Sequence, residues 1–196
     1  MKKFAGLLII SGLIIVGLGG WQIFQTNQET EASLEEAKKV ISDGSVEEVQ
    51  QEEVGEREGR FTPAMGEVVG LLTIPELQAQ LPIVEGTDPD ELKKGVGHYK
   101  GSYYPNENGQ IVLSGHRDTV FRKIGELEIG DTLEVHLPYG EFSYEITYTK
   151  IVGADDTSII TLQNDYEELI LTTCYPFSYI GNAPDRYIIY AKKLEG

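Results

Sequence analysis

The chain has 196 residues and only one cysteine, so no disulfide can form within it and its stability must come from packing. A single thiol also excludes zinc sites built from several cysteines. Basic residues are scarce as well. There are 16 Lys and Arg against 32 Asp and Glu, and the net charge is -16. Nucleic acid is not an expected partner, because binding its phosphates needs clustered positive charge.

Charge is absent from residues 4–24, an apolar run that follows Lys2 and Lys3. About 20 helical residues cross the hydrocarbon core of a bilayer, so the run predicts a transmembrane signal-anchor. The two lysines predict a cytoplasmic N-terminus at residues 1–3, with the rest of the chain outside a cell membrane that it crosses once. A cleaved secretory signal is the alternative, but the run is long for one and no Ala-x-Ala motif follows it.

Residues 25–65 are acidic and polar and are predicted to be an extracellular linker. Within them, Leu34, Ala37 and Ile41 have helical spacing, which indicates a short helix over residues 29–41. The remaining Glu-rich sequence cannot bury enough apolar surface to offset the entropy lost on ordering. A solvated linker is therefore expected.

Residues 66–196 are predicted to form one folded domain of many short strands. Turn signals such as 105–109, 130–131 and 138–140 separate the apolar runs. Asp88 followed by Pro89 indicates the start of a short helix, and residues 120–127 suggest one helical turn. This pattern indicates a mainly β sandwich or barrel.

The single cysteine, Cys174, ends a strand-like run over residues 169–174 and precedes Tyr175 and Pro176. A thiol at the exit of a strand is held by a rigid element and still reaches the surface, which suits a nucleophile. The alternative is a small buried apolar side chain.

Two further residues could serve such a nucleophile. His116 follows a strand and enters a polar turn, and an imidazole can give or take a proton near neutral pH. The alternative is a simple turn residue, followed by an Arg117–Asp118 surface ion pair of little energetic worth. Arg186 begins the last strand, where its planar donors could brace an oxyanion or peptide carbonyls. Alternatively, it could be an exposed partner of Asp185.

Taken together, these segments resemble the sortases, wall-anchored transpeptidases of Gram-positive bacteria. The resemblance covers roughly residues 66–194 and is carried by Ser-Gly-His-Arg-Asp at 114–118, Leu-Thr-Thr-Cys at 171–174 and Arg186. The Tyr-Pro-Phe after the cysteine and the Gly-Asn-Ala-Pro-Asp-Arg segment are most similar to class D sortases. One departure is Ile170, which stands where the family pattern has a threonine.

The resemblance implies a closed eight-stranded β-barrel, and it implies roles for three residues. Cys174 attacks the Thr carbonyl of a Leu-Pro-x-Thr-Gly-like sorting signal. His116 protonates the leaving amine and later deprotonates the incoming one, while Arg186 binds substrate backbone and stabilises the oxyanion. The expected partners are secreted proteins with a C-terminal sorting signal and a peptidoglycan precursor amine, so that surface proteins become attached to the cell wall.

Five more residues are predicted to bind substrate. The hydroxyl of Thr173 could orient the substrate, and His98 could line the site, as a similar histidine does in many sortases. His98 could equally be a structural hydrogen-bonding residue. Tyr175, Phe177 and Ile180 could form the floor of an apolar groove for the Leu-Pro of the signal, with barrel packing as the alternative.

No cofactor and no metal are expected. Some sortases bind calcium, but the acidic residues between 155 and 168 do not have the spacing of a known ligand loop. Two other functions stay open: a cysteine peptidase that only hydrolyses the signal, and a non-enzymatic membrane-tethered β domain with Cys174 buried. Product analysis with an added amine distinguishes the peptidase from a transpeptidase. The reactivity of the Cys174 thiol distinguishes the non-enzymatic domain from an enzyme.

Overall fold

The computed structural model describes residues 2–44, 61–179 and 181–195. It begins with helix α1 and continues with eight strands, a short helix and two single-turn 3-10 helices at Pro75–Leu77 and Ile124–Glu126. The elements are α1 Lys2–Gly44, β1 Val68–Ile74, β2 Ala79–Glu85, α2 Pro89–Lys94, β3 Val96–His98, β4 Gln110–Ser114, β5 Thr132–Leu137, β6 Gly140–Gly153, β7 Glu168–Tyr175 and β8 Asp185–Lys193.

The strands close into a barrel in the order β1-β2-β3-β4-β7-β8-β6-β5, which confirms the predicted eight-stranded barrel. Most neighbours are antiparallel, but β2 with β3 and β4 with β7 are parallel. Leu133, Val135 and Leu137 of β5 show the alternation that fills the interior: each is buried, and the residues between them are half-buried.

Helix α1 covers the outer face of β1 and β2. Ala37 is 0% exposed, and the hydroxyl of Thr30 donates a hydrogen bond to the carbonyl of Lys93 at 3.0 Å. The apolar cluster at this contact comprises Leu34, Ala37, Ile41, Val68, Leu71 and Val84. Part of the predicted solvated linker is therefore a docked helix, because three apolar side chains on one helical face suffice to cover the sheet. Residues 45–60 of that linker lie outside the described residues.

None of the helices in the described part of the chain is both long enough and apolar enough to cross a membrane.

A buried polar network links β2, β3 and the loop after β3. Glu85 Oε2 lies 2.6 Å from His98 Nδ1 and accepts a hydrogen bond from the Tyr104 hydroxyl at 2.7 Å. On its other side, His98 Nε2 lies 2.9 Å from Ser102 Oγ and 3.0 Å from the carbonyl oxygen of Tyr103. The His98 and Tyr104 rings stack with centroids 3.9 Å apart. Each polar atom named here has a partner, as buried polar groups require.

This network predicts a pH-dependent stability. Burial raises the pKa of Glu85, but hydrogen bonds from His98 and Tyr104 outweigh it and hold the pKa below the ordinary 4.5. A carboxyl whose pKa is lowered by folding stabilises the fold above its unfolded pKa, and this contribution is lost as the pH falls through the folded value. Glu85→Gln should therefore lower the free energy of unfolding by about 1–3 kcal/mol near neutral pH.

The measurement is urea unfolding followed by circular dichroism, from about pH 7 down to about pH 3. The difference between wild type and Glu85→Gln should shrink as the pH falls below 4.5. Glu126→Gln, at an exposed position, is the control and should change stability by less than about 0.5 kcal/mol. A difference that is constant over the pH range would contradict the assignment.

Candidate active site

The pairing of β4, β7 and β8 brings the three expected catalytic residues together at one end of the barrel. Cys174 of β7 stands directly opposite Arg186 of β8. The last residue pair of β4 and β7 is Ser114 with Thr172, and the amide of the next residue donates a hydrogen bond to the Thr172 carbonyl at 3.1 Å. His116 and Cys174 each follow this last pair by two residues.

All three residues are accessible at this end. His116 is exposed, and Cys174 and Arg186 are half-buried. Cys174 is thus not among the fully buried residues, as a purely structural cysteine would be. Nη1 of Arg186 donates hydrogen bonds to the main-chain carbonyls of Asp185 at 2.9 Å and Ala183 at 3.2 Å, which tie the guanidinium to the segment that leads into β8.

Thr173 is 3% exposed, and its hydroxyl donates a hydrogen bond to the carbonyl of Gly115 at 2.8 Å. It therefore joins the strand that carries Cys174 to the peptide just before His116. The structure gives this hydroxyl a main-chain partner, whereas the sequence suggested a contact with substrate.

Side chains alternate along a strand, so Thr172 and Ile170 share a face of β7 with Cys174. On the neighbouring strand this outer face carries Ser114, whose hydroxyl lies 2.9 Å from that of Thr172. Behind the two hydroxyls lies a second apolar cluster, which comprises Val112, Val152, Ile159, Ile170, Ile188 and Tyr190. The period of two from His116 and from Cys174 is the sequence signal that could have identified Ser114 and Thr172 as lining residues.

The loop over residues 154–167 covers this outer cluster. Gln110 holds it in place: Nε2 donates a hydrogen bond to the Ile159 carbonyl at 3.1 Å, and Oε1 accepts one from the Thr161 amide at 2.8 Å. Tyr99 and Ile160 are partly buried against the cluster. The outer face thus has an apolar wall next to the strip of hydroxyls that leads to Cys174.

Tyr175 and Phe177 do not lie on the outer face that carries Cys174. Tyr175 follows Cys174 directly and so belongs to the opposite face of β7, where its ring contacts Phe177 and Tyr187 with centroids 5.5 and 6.1 Å away. Phe177 packs against the main core. Both residues are half-buried, and their binding of substrate stays a prediction. Ile180 lies outside the described residues.

His98 is 1% exposed. Both ring nitrogens have partners in the buried network of Glu85 and Ser102, so its place in the structure is that of a hydrogen-bonding residue between strands. In the described part of the chain, no three His, Cys, Asp or Glu side chains are arranged to hold a metal ion.

Arg117 is not the surface residue that the sequence suggested. Its side chain is 6% exposed, while that of Asp118 is 73% exposed. The expected contact between them exists, with Nε 3.3 Å from the carboxylate, but two further nitrogens bind main-chain carbonyls of the segment after Cys174. No local pattern in the sequence distinguishes this buried arginine from an exposed one.

A thiol, an imidazole and a guanidinium at one accessible end of a rigid barrel are suited to acyl transfer. The thiol can form a thioester, the imidazole can carry protons, and the guanidinium can stabilise an oxyanion.

Comparison with known proteins agrees with this chemistry. The sequence profile of the Sortase domain matches residues 72–194. Over 99% of this chain and the whole length of the relative, the sequence is 59% identical to Sortase D of Bacillus subtilis (strain 168).

Solved structures show the same fold. The Clostridium perfringens Sortase D5 transpeptidase superposes with a TM-score of 0.69 at 25% identity, covering 86% of this chain and 99% of that one. The catalytic domain of Bacillus anthracis SrtD superposes with a TM-score of 0.58 at 44% identity, covering 72% of this chain and 97% of that one. The chain therefore belongs to the sortase family of cysteine transpeptidases.

Proposed function

We propose that this protein cleaves a Leu-Pro-x-Thr-Gly-like sorting signal after Thr and transfers the acyl group to a peptidoglycan amine, which attaches surface proteins to the cell wall. The observation that carries this proposal is the pairing of Cys174 with Arg186 at an accessible barrel end, next to the main chain of Gly115 that leads to His116. A cysteine transpeptidase needs a thiol, and Cys174 is the only cysteine in the sequence.

In the first step His116 takes the proton of the Cys174 thiol, and the sulfur attacks the carbonyl carbon of the substrate Thr. A carbon–sulfur bond forms, the Thr–Gly peptide bond breaks, and His116 gives its proton to the departing amine. The guanidinium of Arg186, held beside the sulfur-bearing strand, donates hydrogen bonds to the oxygen that becomes negative.

In the second step an amine attacks the thioester. His116 takes a proton from this amine and passes it to the departing sulfur, so a new peptide bond forms and Cys174 is released as a thiol. The reaction exchanges one peptide bond for another, so no external source of energy is needed. If water takes the place of the amine, the same residues make a peptidase.

The outer face of the barrel supports an extended, partly apolar substrate. Ser114 and Thr172 offer hydroxyls two residues before His116 and Cys174, and Tyr99 and Ile160 form an apolar wall beside them. Three residue steps separate Thr from Leu in the signal, which is about 10 Å in an extended chain. Along β7 that length runs from Cys174 past Thr172, towards the half-buried Tyr99 and Ile160.

We also propose that residues 4–24 anchor the protein in the cell membrane, with the N-terminus in the cytoplasm and the barrel outside. The support is the uncharged apolar run after Lys2 and Lys3, which lies within the unbroken helix α1.

Membrane attachment predicts that the intact protein stays in the membrane fraction after alkaline carbonate extraction. Ile14→Lys combined with Leu18→Lys should release it, because each lysine at the centre of a span costs about 2.5–3.5 kcal/mol. The matched control places the two lysines at exposed Gln25 and Gln28, beyond the run, and should leave attachment unchanged. Recovery of the wild-type protein in the soluble fraction would disprove the anchor.

The catalytic assignment is tested with a fluorogenic Leu-Pro-x-Thr-Gly peptide and an added amine. Cys174→Ala should lower kcat/KM by about a thousandfold or more, and His116→Ala by about 100- to 10,000-fold. His136→Ala is the matched histidine control. That residue lies in β5 between Glu134 and Glu141, and its loss should leave turnover within about twofold of wild type.

The products decide between the two enzymatic functions. A transpeptidase should give mostly the amine adduct, identified by mass spectrometry, and a peptidase should give the free acid at every amine concentration. Full activity in Cys174→Ala would rule out both.

Thr173 offers a separate test of the geometry. Thr173→Val keeps the shape but removes the hydrogen bond to Gly115, so His116 is held less firmly beside the thiol. A misplacement of about 1 Å can cost about 100-fold in rate, and we expect kcat to fall by about 10- to 100-fold. Thr173→Ser retains the hydroxyl and should keep most of the activity. Equal activity of the Val and Ser variants in the peptide assay would contradict this role.

A further inference from the structure

Arg117 lies between two exposed residues and is itself buried. His116 before it and Asp118 after it are exposed, whereas the Arg117 side chain is 6% exposed. Taking a guanidinium out of water costs free energy unless its donors find acceptors in the protein. Its position next to the proposed general acid therefore calls for a physical reason.

The reason is the segment between β7 and β8. Nη1 of Arg117 donates a hydrogen bond to the carbonyl of Pro176 at 2.9 Å, and Nη2 donates one to the carbonyl of Gly181 at 3.3 Å. Pro176 lies two residues after Cys174, and Gly181 lies five residues before Arg186. The Arg117 side chain thus bonds to both ends of the connection between β7, which carries Cys174, and β8, which carries Arg186.

The residue on the other side of His116 is fixed as well. The amide of Gly115 donates a hydrogen bond to the Thr172 carbonyl at 3.1 Å, and its carbonyl accepts one from the Thr173 hydroxyl at 2.8 Å. The carbonyl of His116 accepts a hydrogen bond from the Phe121 amide at 3.0 Å. The imidazole is exposed, but the main chain that carries it is held before, at and after the residue.

We propose that Arg117 is a positioning residue of the transpeptidase reaction. It acts through its neighbour His116 and through the β7–β8 connection, and it keeps the imidazole at a fixed place relative to the sulfur of Cys174. This inference rests on the proposed function. The planar fork of arginine can bond two carbonyls at once, which the single ammonium of lysine cannot do in the same geometry.

The fork geometry makes Arg117→Lys the decisive variant, because it keeps the positive charge and loses the double contact. Arg117→Gln removes both. The matched control is Arg122→Gln: Arg122 is exposed, and its guanidinium donates hydrogen bonds to the Asp118 carbonyl at 2.8 and 3.0 Å. The control thus removes an arginine from the same segment without touching the β7–β8 connection.

The experiment uses the full-length protein in detergent and three measurements. The first is kcat and KM with a fluorogenic Leu-Pro-x-Thr-Gly peptide and an amine. The second is the pH dependence of Cys174 alkylation by iodoacetamide, which reports how closely the imidazole is held to the thiol. The third is the fraction of molecules whose Cys174 can be alkylated, measured together with thermal unfolding. These values give the concentration of folded protein to which the rates refer.

We expect both Arg117 variants to lose about 10- to 100-fold in kcat, with KM changed by less than about threefold because the outer face is untouched. Both should also shift the midpoint of the alkylation profile. Arg122→Gln should match wild type in every measurement. An effect on stability alone, with kcat per folded molecule and the alkylation profile both unchanged, would overturn the proposal.

Wild-type behaviour of Arg117→Lys would also overturn it, because charge and not the double contact would then be what matters. Failure of the proposed function looks different: the wild-type protein would cleave no sorting-signal peptide. The alkylation profile would still show whether Arg117 positions His116 relative to the thiol.

Discussion

The site depends on the register of one strand. β7 is parallel to β4 on one side and antiparallel to β8 on the other, so its register alone determines which residues meet Cys174. A slip of one residue would turn Cys174 towards the barrel interior and place Thr173 on the outer face. The hydrogen bonds of Gly115 with Thr172 and Thr173 oppose such a slip where it would do the most harm.

Strand pairing on the far side of β4 also supports the register of β7. β3 has only three residues, yet it must connect β2 to β4. The pair of Glu85 and His98 reinforces it, with one partner on β2 and the other on β3. Since β4 carries the segment leading to His116, this buried pair also helps to hold the site. Helix α1 covers one outer face and the 154–167 loop covers another, while the catalytic end stays accessible.

The sequence predicted those features that local pattern carries. Cys174, His116 and Arg186 each begin or end a recognisable apolar run, and the resemblance to a known family supplied the barrel. The sequence does not predict β3, because three residues are too few to show a period of two. The burial of Arg117 and the docking of Ala37 depend on contacts with distant segments. The helical spacing of Leu34, Ala37 and Ile41 predicts a helix but does not identify the surface that covers its apolar face. Tyr175 and Phe177 were open to two interpretations because aromatic residues suit a ligand groove and a packed interior equally well.

Helix α1 has a mechanical consequence. It runs unbroken from Lys2 to Gly44, and about 20 Å of it separates residue 24, at the end of the apolar run, from the docked Ala37. In the membrane-anchored protein proposed above, this rigid helix would keep the active site at a constant distance from the bilayer. A flexible coil with the same number of residues would let the distance and orientation of the barrel relative to the bilayer vary widely. In that arrangement the sorting-signal peptide and the acceptor amine would both have to reach the site at a fixed height above the lipid.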